Sequence, residues 1–294
     1  MDLLPRSGGR GETGVTITTE ADSERPGARH PRRGLAPYPD EVDARAVEEF
    51  HARYQHPRLS ELVVVIAAFN EQDGLGPVLA DMPKKCNGMD VDVLVVVDGA
   101  TDDTAEIARE QGAYTCVADT NRGQGAALRL GYHLAAECGA TYLVTTDADG
   151  QYDNTEMDSL LSPLVDDEAD FVTGSRRLGH EESDNRMRWI GVRVFAWLAS
   201  LLTLRKITDT SFGFRAMRAE LACTITLTEP QYQASELLLG ALATGARLRE
   251  LPMSMRLRNN GTSKKGKNLR YGANYTRVML TTWLREYPYR NVRK

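Results

Sequence analysis

Apolar runs of strand length alternate along this chain with longer amphipathic stretches. Leu62-Val63-Val64-Val65-Ile66-Ala67 contains no polar residue. A run that short and that uniform predicts a strand buried on both faces, as in a parallel sheet. Val93 to Val97 repeats the pattern and ends at Asp98-Gly99. Ala113 to Val117, Tyr142 to Thr146, Asp170 to Gly174 and Arg249 to Arg258 predict further strands. Between them, helical spacing predicts segments from Asn70-Glu71 through Asp81, Thr101 to Gln111, and Gly125 to Cys138. Two more follow at Met187 to Leu204 and Glu236 to Thr244. Upstream, Asp40 stands where it would cap a short helix, Glu41 to Tyr54, with Val42, Ala46, Val47 and Phe50 near one face. Alternating strands and helices imply an α/β fold, a mostly parallel central sheet flanked by helices. Open parallel sheets bind ligands beyond the C-terminal ends of their strands. Asn70, Asp98 and Asp147 all fall there.

Composition divides the chain before any chemistry is considered. Residues 1–38 are rich in Gly, Pro, Arg and Thr and lack apolar periodicity, which predicts a disordered arm. Residues 39–58 would be a short helix and linker, 59–286 the folded domain, and 287–294 a basic tail. With 294 residues, 41% of them hydrophobic, the chain can bury one sizeable core. The net charge of −5 argues against a general nucleic-acid binder. The charge is uneven, however: Arg256 to Lys294 holds eleven basic residues opposed only by Glu286. Such a field attracts phosphates or an anionic membrane face, unless it is simply a solvated surface. The four cysteines are widely spaced, which fits reduced thiols, and the N-terminus has no apolar leader. A cytoplasmic protein is expected. Val194 to Leu204, the longest near-apolar stretch, is too short to span a bilayer.

Asp147-Ala148-Asp149 carries the strongest candidate chemistry. Two carboxylates just past a buried strand can turn toward one hard cation, Mg²⁺ or Mn²⁺, that shares its coordination with substrate phosphates. Asp147, Asp149 and Gln151 alternate, so an extended segment would present all three on one side. The plain alternative is a turn in which Asp and Gly satisfy backbone groups. Asp98 sits where it could accept hydrogen bonds from a base or ribose. Asn121-Arg122-Gly123-Gln124-Gly125 is a glycine loop opening a helix, with amides suited to a phosphate or a ribose. Arg176-Arg177 and Arg188 offer guanidinium forks for phosphate oxygens, or for salt bridges to Glu181, Glu182 or Asp184. Asp209 and Glu236 are lone carboxylates, each a candidate base or a cap. Gly261-Thr262-Ser263-Lys264 is a basic loop suited to closing over a diphosphate.

Taken in order, these segments resemble glycosyltransferase family 2, and within it the polyprenyl-phosphate (dolichol-phosphate-like) mannosyl- and glucosyltransferases. The resemblance runs from about Glu61 to Arg270. It is carried by Val65-Ile66-Ala67-Ala68-Phe69-Asn70-Glu71, Val96-Val97-Asp98-Gly99-Ala100-Thr101-Asp102, Asn121 to Ala127, Asp147 to Gln151, Gly174-Ser175-Arg176, Asp209 to Arg215, Glu236-Leu237-Leu238 and Gly261 to Lys264. It departs from the family pattern at Val97, where an aspartate is usual, at Gln124, often Lys, and at Ser211-Phe212, often Gln-Ser.

The resemblance implies a GT-A fold. Ala67, Phe69, Glu71 and Asp98 would line the nucleoside pocket, with Arg122 nearby. Asp147, Asp149 and Gln151 would hold Mg²⁺ or Mn²⁺. Arg258 and Lys264 would contact the donor diphosphate, and Arg176 and Arg188 would face an acceptor phosphate. The implied reaction is inverting transfer of a sugar from a nucleotide-diphosphate sugar to a polyprenyl phosphate, which is already anionic and needs no strong base. A hydroxyl acceptor, a glycan or secondary metabolite, would need Asp209 or Glu236 as base. A non-catalytic binding module of the same fold is the remaining alternative. The helix after Arg188 mixes Trp189, Ile190, Val194, Phe195, Trp197 and Leu198 with arginine. That pattern suits a helix lying on the inner membrane face, a contact with a membrane protein, burial, or a homodimer.

Overall fold

The computed structural model describes residues 38, 40–182, 186–257 and 268–287. The expected arm, apart from Tyr38, lies outside these residues, as do Arg258, Lys264 and the tail beyond Tyr287.

Along the chain the elements are α1 (Glu41–Tyr54), β1 (Leu62–Ala68), α2 (Leu75–Ala80), β2 (Lys85–Cys86), β3 (Met89–Asp98), α3 (Thr104–Glu110), β4 (Tyr114–Ala118), α4 (Gln124–Glu137) and β5 (Tyr142–Thr145). A 3₁₀ turn leads into α5 (Met157–Val165). Then come β6 (Phe171–Glu181), α6 (Arg186–Thr203), β7 (Arg215–Arg218), α7 (Ala219–Thr224), α8 (Gln233–Thr244), β8 (Leu248–Met255) and α9 (Asn268–Glu286).

The main sheet runs β4-β3-β1-β5-β7-β6-β8. Parallel pairing joins β4, β3, β1 and β5, and again β6 and β8. β7 is antiparallel to both its neighbours, and β2 makes a small antiparallel hairpin with the start of β3. The apolar run of β1 is central for the reason its composition predicts. Val63 and Val65 enter one core with α1, α4, α7 and α8. Leu62, Val64 and Ile66 enter the other, with α2 and α5. All five are fully buried, worth roughly 1.5–3 kcal/mol each.

Two strands differ from expectation. β6 extends through Glu181, with an irregularity between Ser175 and His180 where it pairs with β8. β7, Arg215-Ala216-Met217-Arg218, has no apolar run to announce it; it exists because β5 and β6 offer open edges on either side. α1 is capped as expected, the Asp43 amide donating to Asp40 Oδ1 at 2.8 Å. That cap contributes about 1 kcal/mol. Its inward face also holds Asp43, fully buried, which apolar spacing does not foresee.

Candidate active site

The parallel half of the sheet ends in polar loops, and a cleft of about 400 Å³ opens there. Ala67, Phe69, Glu71, Asp98, Asp147, Asp149, Gln151 and Arg188 all line it. Residues up to 121 apart in sequence are thus brought together, from Ala67 to Arg188. Arg122, Arg176, Asp209 and Glu236 are not part of its lining.

Asp98, at the end of β3, is 2% exposed. Its Oδ2 accepts from the backbone amides of Arg122 at 2.8 Å and Gly123 at 2.6 Å. Its Oδ1 has no hydrogen-bond partner. Burial pushes the carboxyl above its usual range, against the lowering effect of the two amides. A buried acceptor oxygen without a hydrogen bond costs free energy, and the nearest cation, Arg122 Nε, lies 3.8 Å from it.

The glycine loop behaves differently from expectation. Its amides at residues 122 and 123 are taken by Asp98, and Gly125 N donates to Pro230 O at 3.3 Å. Gly123 has φ +94, and a Cβ there would stand 2.5 Å from Pro230 O. Glycine is needed here for the close backbone approach to residues 229–230. Arg122 points behind the cleft, to Asp40 at 2.8 Å and Asp43 at 2.7 Å.

Asp147 and Asp149 follow β5 in a turn, not an extended segment, with Gly150 at φ +72. The turn nevertheless places both carboxylates and Gln151 on the cleft. Asp147 Oδ1 accepts from Gln124 Nε2 at 2.9 Å. Asp149 Oδ1 accepts from the Gln151 amide at 3.1 Å. Opposite, Gly213 closes on the same turn: a Cβ there would be 3.0 Å from Asp147 Oδ2 and 2.9 Å from Tyr152 Oη. Tyr152 Oη accepts from Gly213 N at 2.8 Å, and burial, then Asp147, raises its phenol pKa. Among the described residues no three His, Cys, Asp or Glu side chains form a metal cage. The oxygen-only donors of the turn fit a hard cation that completes its shell with phosphate and water.

Arg176 and Asp209 are both buried and engage each other. Arg176 Nε lies 2.7 Å from Asp209 Oδ2, and Arg176 Nη2 donates to Ser211 Oγ at 3.1 Å. Burial works against the Arg176 charge, but Asp209, Tyr152 and Glu181 outweigh it and raise its pKa. Arg176 is not among the lining residues; it holds Ser211, which does line the cleft. Arg188 reaches the cleft from the first turn of α6, with its Nε 3.2 Å from Glu181. Glu236 is fully buried and accepts from the amides of Thr228 and Glu229, from Thr228 Oγ1 and from Arg285. These contacts cap the 228–229 loop.

Sequence reasoning missed Arg215, the largest fully buried side chain. It donates to the carbonyls of Thr210, Phe212 and Ala234, tying the loop before β7 to the start of α8. Burial pulls its pKa down. A charged residue between Phe214 and Ala216, in a run otherwise buried, was the available signal. Tyr232 and Tyr275, also in the cleft wall, carried none.

A mostly parallel sheet with an antiparallel β7, and an acidic turn beyond β5 facing Asp98, is the arrangement of GT-A enzymes. The model of glycosyl transferase family 2 matches residues 63–225. A dolichyl-phosphate hexose transferase of Haloferax volcanii is 35% identical over 202 residues, 69% of this chain and 86% of the relative. A UDP-N-acetylglucosamine–dolichyl-phosphate N-acetylglucosaminyltransferase of Methanococcus voltae is 26% identical, over 53% of this chain and 68% of its own length. Among solved structures, glucosyl-3-phosphoglycerate synthase from Mycobacterium tuberculosis, in complex with Mn²⁺, UDP and glucosyl-3-phosphoglycerate, matches with a TM-score of 0.60. That match has 18% identity and covers 80% of this chain and 83% of the other. This chain belongs to glycosyltransferase family 2 and has the GT-A fold. It is a glycosyltransferase.

Proposed function

We propose that this enzyme transfers a hexose, with inversion, from a nucleotide-diphosphate sugar to a polyprenyl phosphate at the inner membrane face. The observation that carries the reading is one cleft lined both by Asp98 and by the Asp147–Asp149 turn. Asp98 accepts a hydrogen bond from the base or ribose, and Ala67, Phe69 and Glu71 wall the nucleoside. Asp147, Asp149 and Gln151 hold Mg²⁺ or Mn²⁺. When bound, the cation offsets the charge that develops on the departing diphosphate. Arg258 and Lys264 are assigned to the same diphosphate, although both lie outside the described residues.

A phosphate acceptor is favoured because the two expected bases are consumed elsewhere, Asp209 by Arg176 and Glu236 by the 228–229 loop. An anionic nucleophile needs neither. Arg188 positions the acceptor phosphate. The dolichyl-phosphate relatives support the same acceptor class.

No described helix is long and apolar enough to cross a membrane; the reading needs a surface at which a lipid acceptor is met. α6 provides one. Met187, Ile190, Val194, Trp197 and Leu201 are 59%, 48%, 52%, 65% and 55% exposed, spaced three and four residues apart. Phe195 and Leu198, expected on the same face, instead pack against the core, Phe195 on Tyr275. α6 contains no acidic residue, and Arg193 stacks on Trp189 at 4.3 Å. An apolar stripe with flanking arginines suits an anionic bilayer, and it starts one residue from Arg188.

The test is a transfer assay with UDP- and GDP-sugars and Mn²⁺, offering polyprenyl phosphates and neutral hydroxyl acceptors. Turnover restricted to the phosphates is expected. Turnover on hydroxyl acceptors alone overturns the acceptor; no turnover and no donor binding leaves a non-catalytic module.

A further inference from the structure

Asp43 is fully buried on the first turn of α1. A carboxylate is rarely buried without partners, and its partners come from α4 and the loop that opens it: Arg122 Nη1 at 2.7 Å and Arg129 Nη2 at 3.1 Å. Asp40, the cap of the same helix, adds contacts of 2.8 and 2.9 Å to Arg122 Nη1. Arg122 Nε meanwhile lies 3.8 Å from Asp98 Oδ1. Both atoms are buried, and neither has a hydrogen-bond partner. A shift of about 1 Å would join them in a charge-assisted hydrogen bond of ordinary length. What opposes that shift is the pair of carboxylates on α1. This helix lies before the stretch matched by the family model, which begins at residue 63.

We propose that Asp43, with Asp40, is a positioning residue for donor binding: it holds the Arg122 guanidinium away from Asp98, so that the Asp98 carboxylate stays on the amides of residues 122 and 123 at the cleft wall. The inference rests on the assignment of Asp98 to the donor. Asp43 touches no substrate. Without it, the Arg122 guanidinium is held by Asp40 alone and swings toward Asp98, whose Oδ1 is already 3.8 Å from its Nε. The Asp98 carboxylate is then drawn off the cleft wall toward an internal cation, and the donor loses its acceptor.

A structural anchor for α1 makes a different prediction, and a double substitution separates the two. Binding of UDP and of GDP, each with Mn²⁺, is measured by calorimetry on the full chain, with thermal unfolding recorded alongside. Asp43→Asn weakens nucleotide binding by about tenfold, the loss of one charge-assisted contact. Adding Arg122→Gln removes the competitor and restores binding to within about threefold of the unsubstituted chain. If helix anchoring were the whole role, the double variant would bind no better than Asp43→Asn, and the proposal would fall. It falls equally if Asp43→Asn binds as tightly as the unsubstituted chain. Should Asp43→Asn not fold, Asp40→Asn with and without Arg122→Gln makes the same comparison in the same direction. An unsubstituted chain that binds neither nucleotide overturns the donor assignment itself, and this inference with it.

Discussion

The wall of the cleft built from the ends of β1, β3 and β5 presents its carboxylates to the cavity, whereas the wall built from β6, α6 and the loop before β7 turns most of its charges on one another. Asp98, Asp147 and Asp149 each sit within a few residues of a parallel strand's C-terminus, where the backbone leaves the sheet and side chains face the cleft. Arg176 lies within β6 and Asp209 in the loop before β7, but they pair with each other at 2.7 Å, while Ser211, Gly213 and Arg188 of that wall reach the cavity. A parallel sheet places functional groups by position along each strand. The antiparallel insertion of β7 places them by mutual compensation, and there a motif residue is as apt to be a strut as a contact.

The largest effect expected is on the first wall. Asp149→Asn should lower turnover by about 10²-fold or more while the unfolding midpoint stays unchanged, because one ligand charge of the cation site is lost. Near-normal turnover at saturating Mn²⁺ and donor would remove the metal from the turn and the distinction between the walls with it. Arg176→Ala should act on stability instead. It leaves Asp209 buried without its cation, a loss of about 3–5 kcal/mol, readable by urea denaturation. A stable Arg176→Ala protein with a selective acceptor defect would show that Arg176 is a contact after all. Arg188→Ala should keep its stability and its donor affinity but weaken use of a phosphorylated acceptor by about tenfold, one charge-assisted contact; equal losses for donor and acceptor would contradict this. The smallest effect belongs to the arm: a chain starting at Asp40 should keep its unfolding midpoint and its transfer rate, since the composition of residues 1–38 cannot bury a core. A large drop in either would show that the arm packs on the domain.

The two walls also differ in how far they were legible. β1 and β3 announce themselves by uninterrupted valine-rich runs, and their ends point to Asp98 without further information. The acidic turn was legible in the same way, although its backbone turns where an extended segment was expected. β7 was not, since four residues flanked by arginines have no period to detect. The glycine loop was legible as a loop opening a helix, but its packing was not, because residues 229–230, which press against it, lie about a hundred residues downstream.

The sequence by itself determined the α/β layering, the strands of the parallel half, the capped helix α1 and the carboxylates that end the central strands. These follow from local apolar period and from position at a strand end, and both are properties of a few consecutive residues. Only the tertiary structure decided which charges remain for a ligand. Arg122 is committed to Asp40, 82 residues away, Arg176 to Asp209, 33 away, and Glu236 to Arg285, 49 away. A buried charge must be compensated wherever its partner comes from in the chain. Its availability is therefore set by contacts that no local pattern contains.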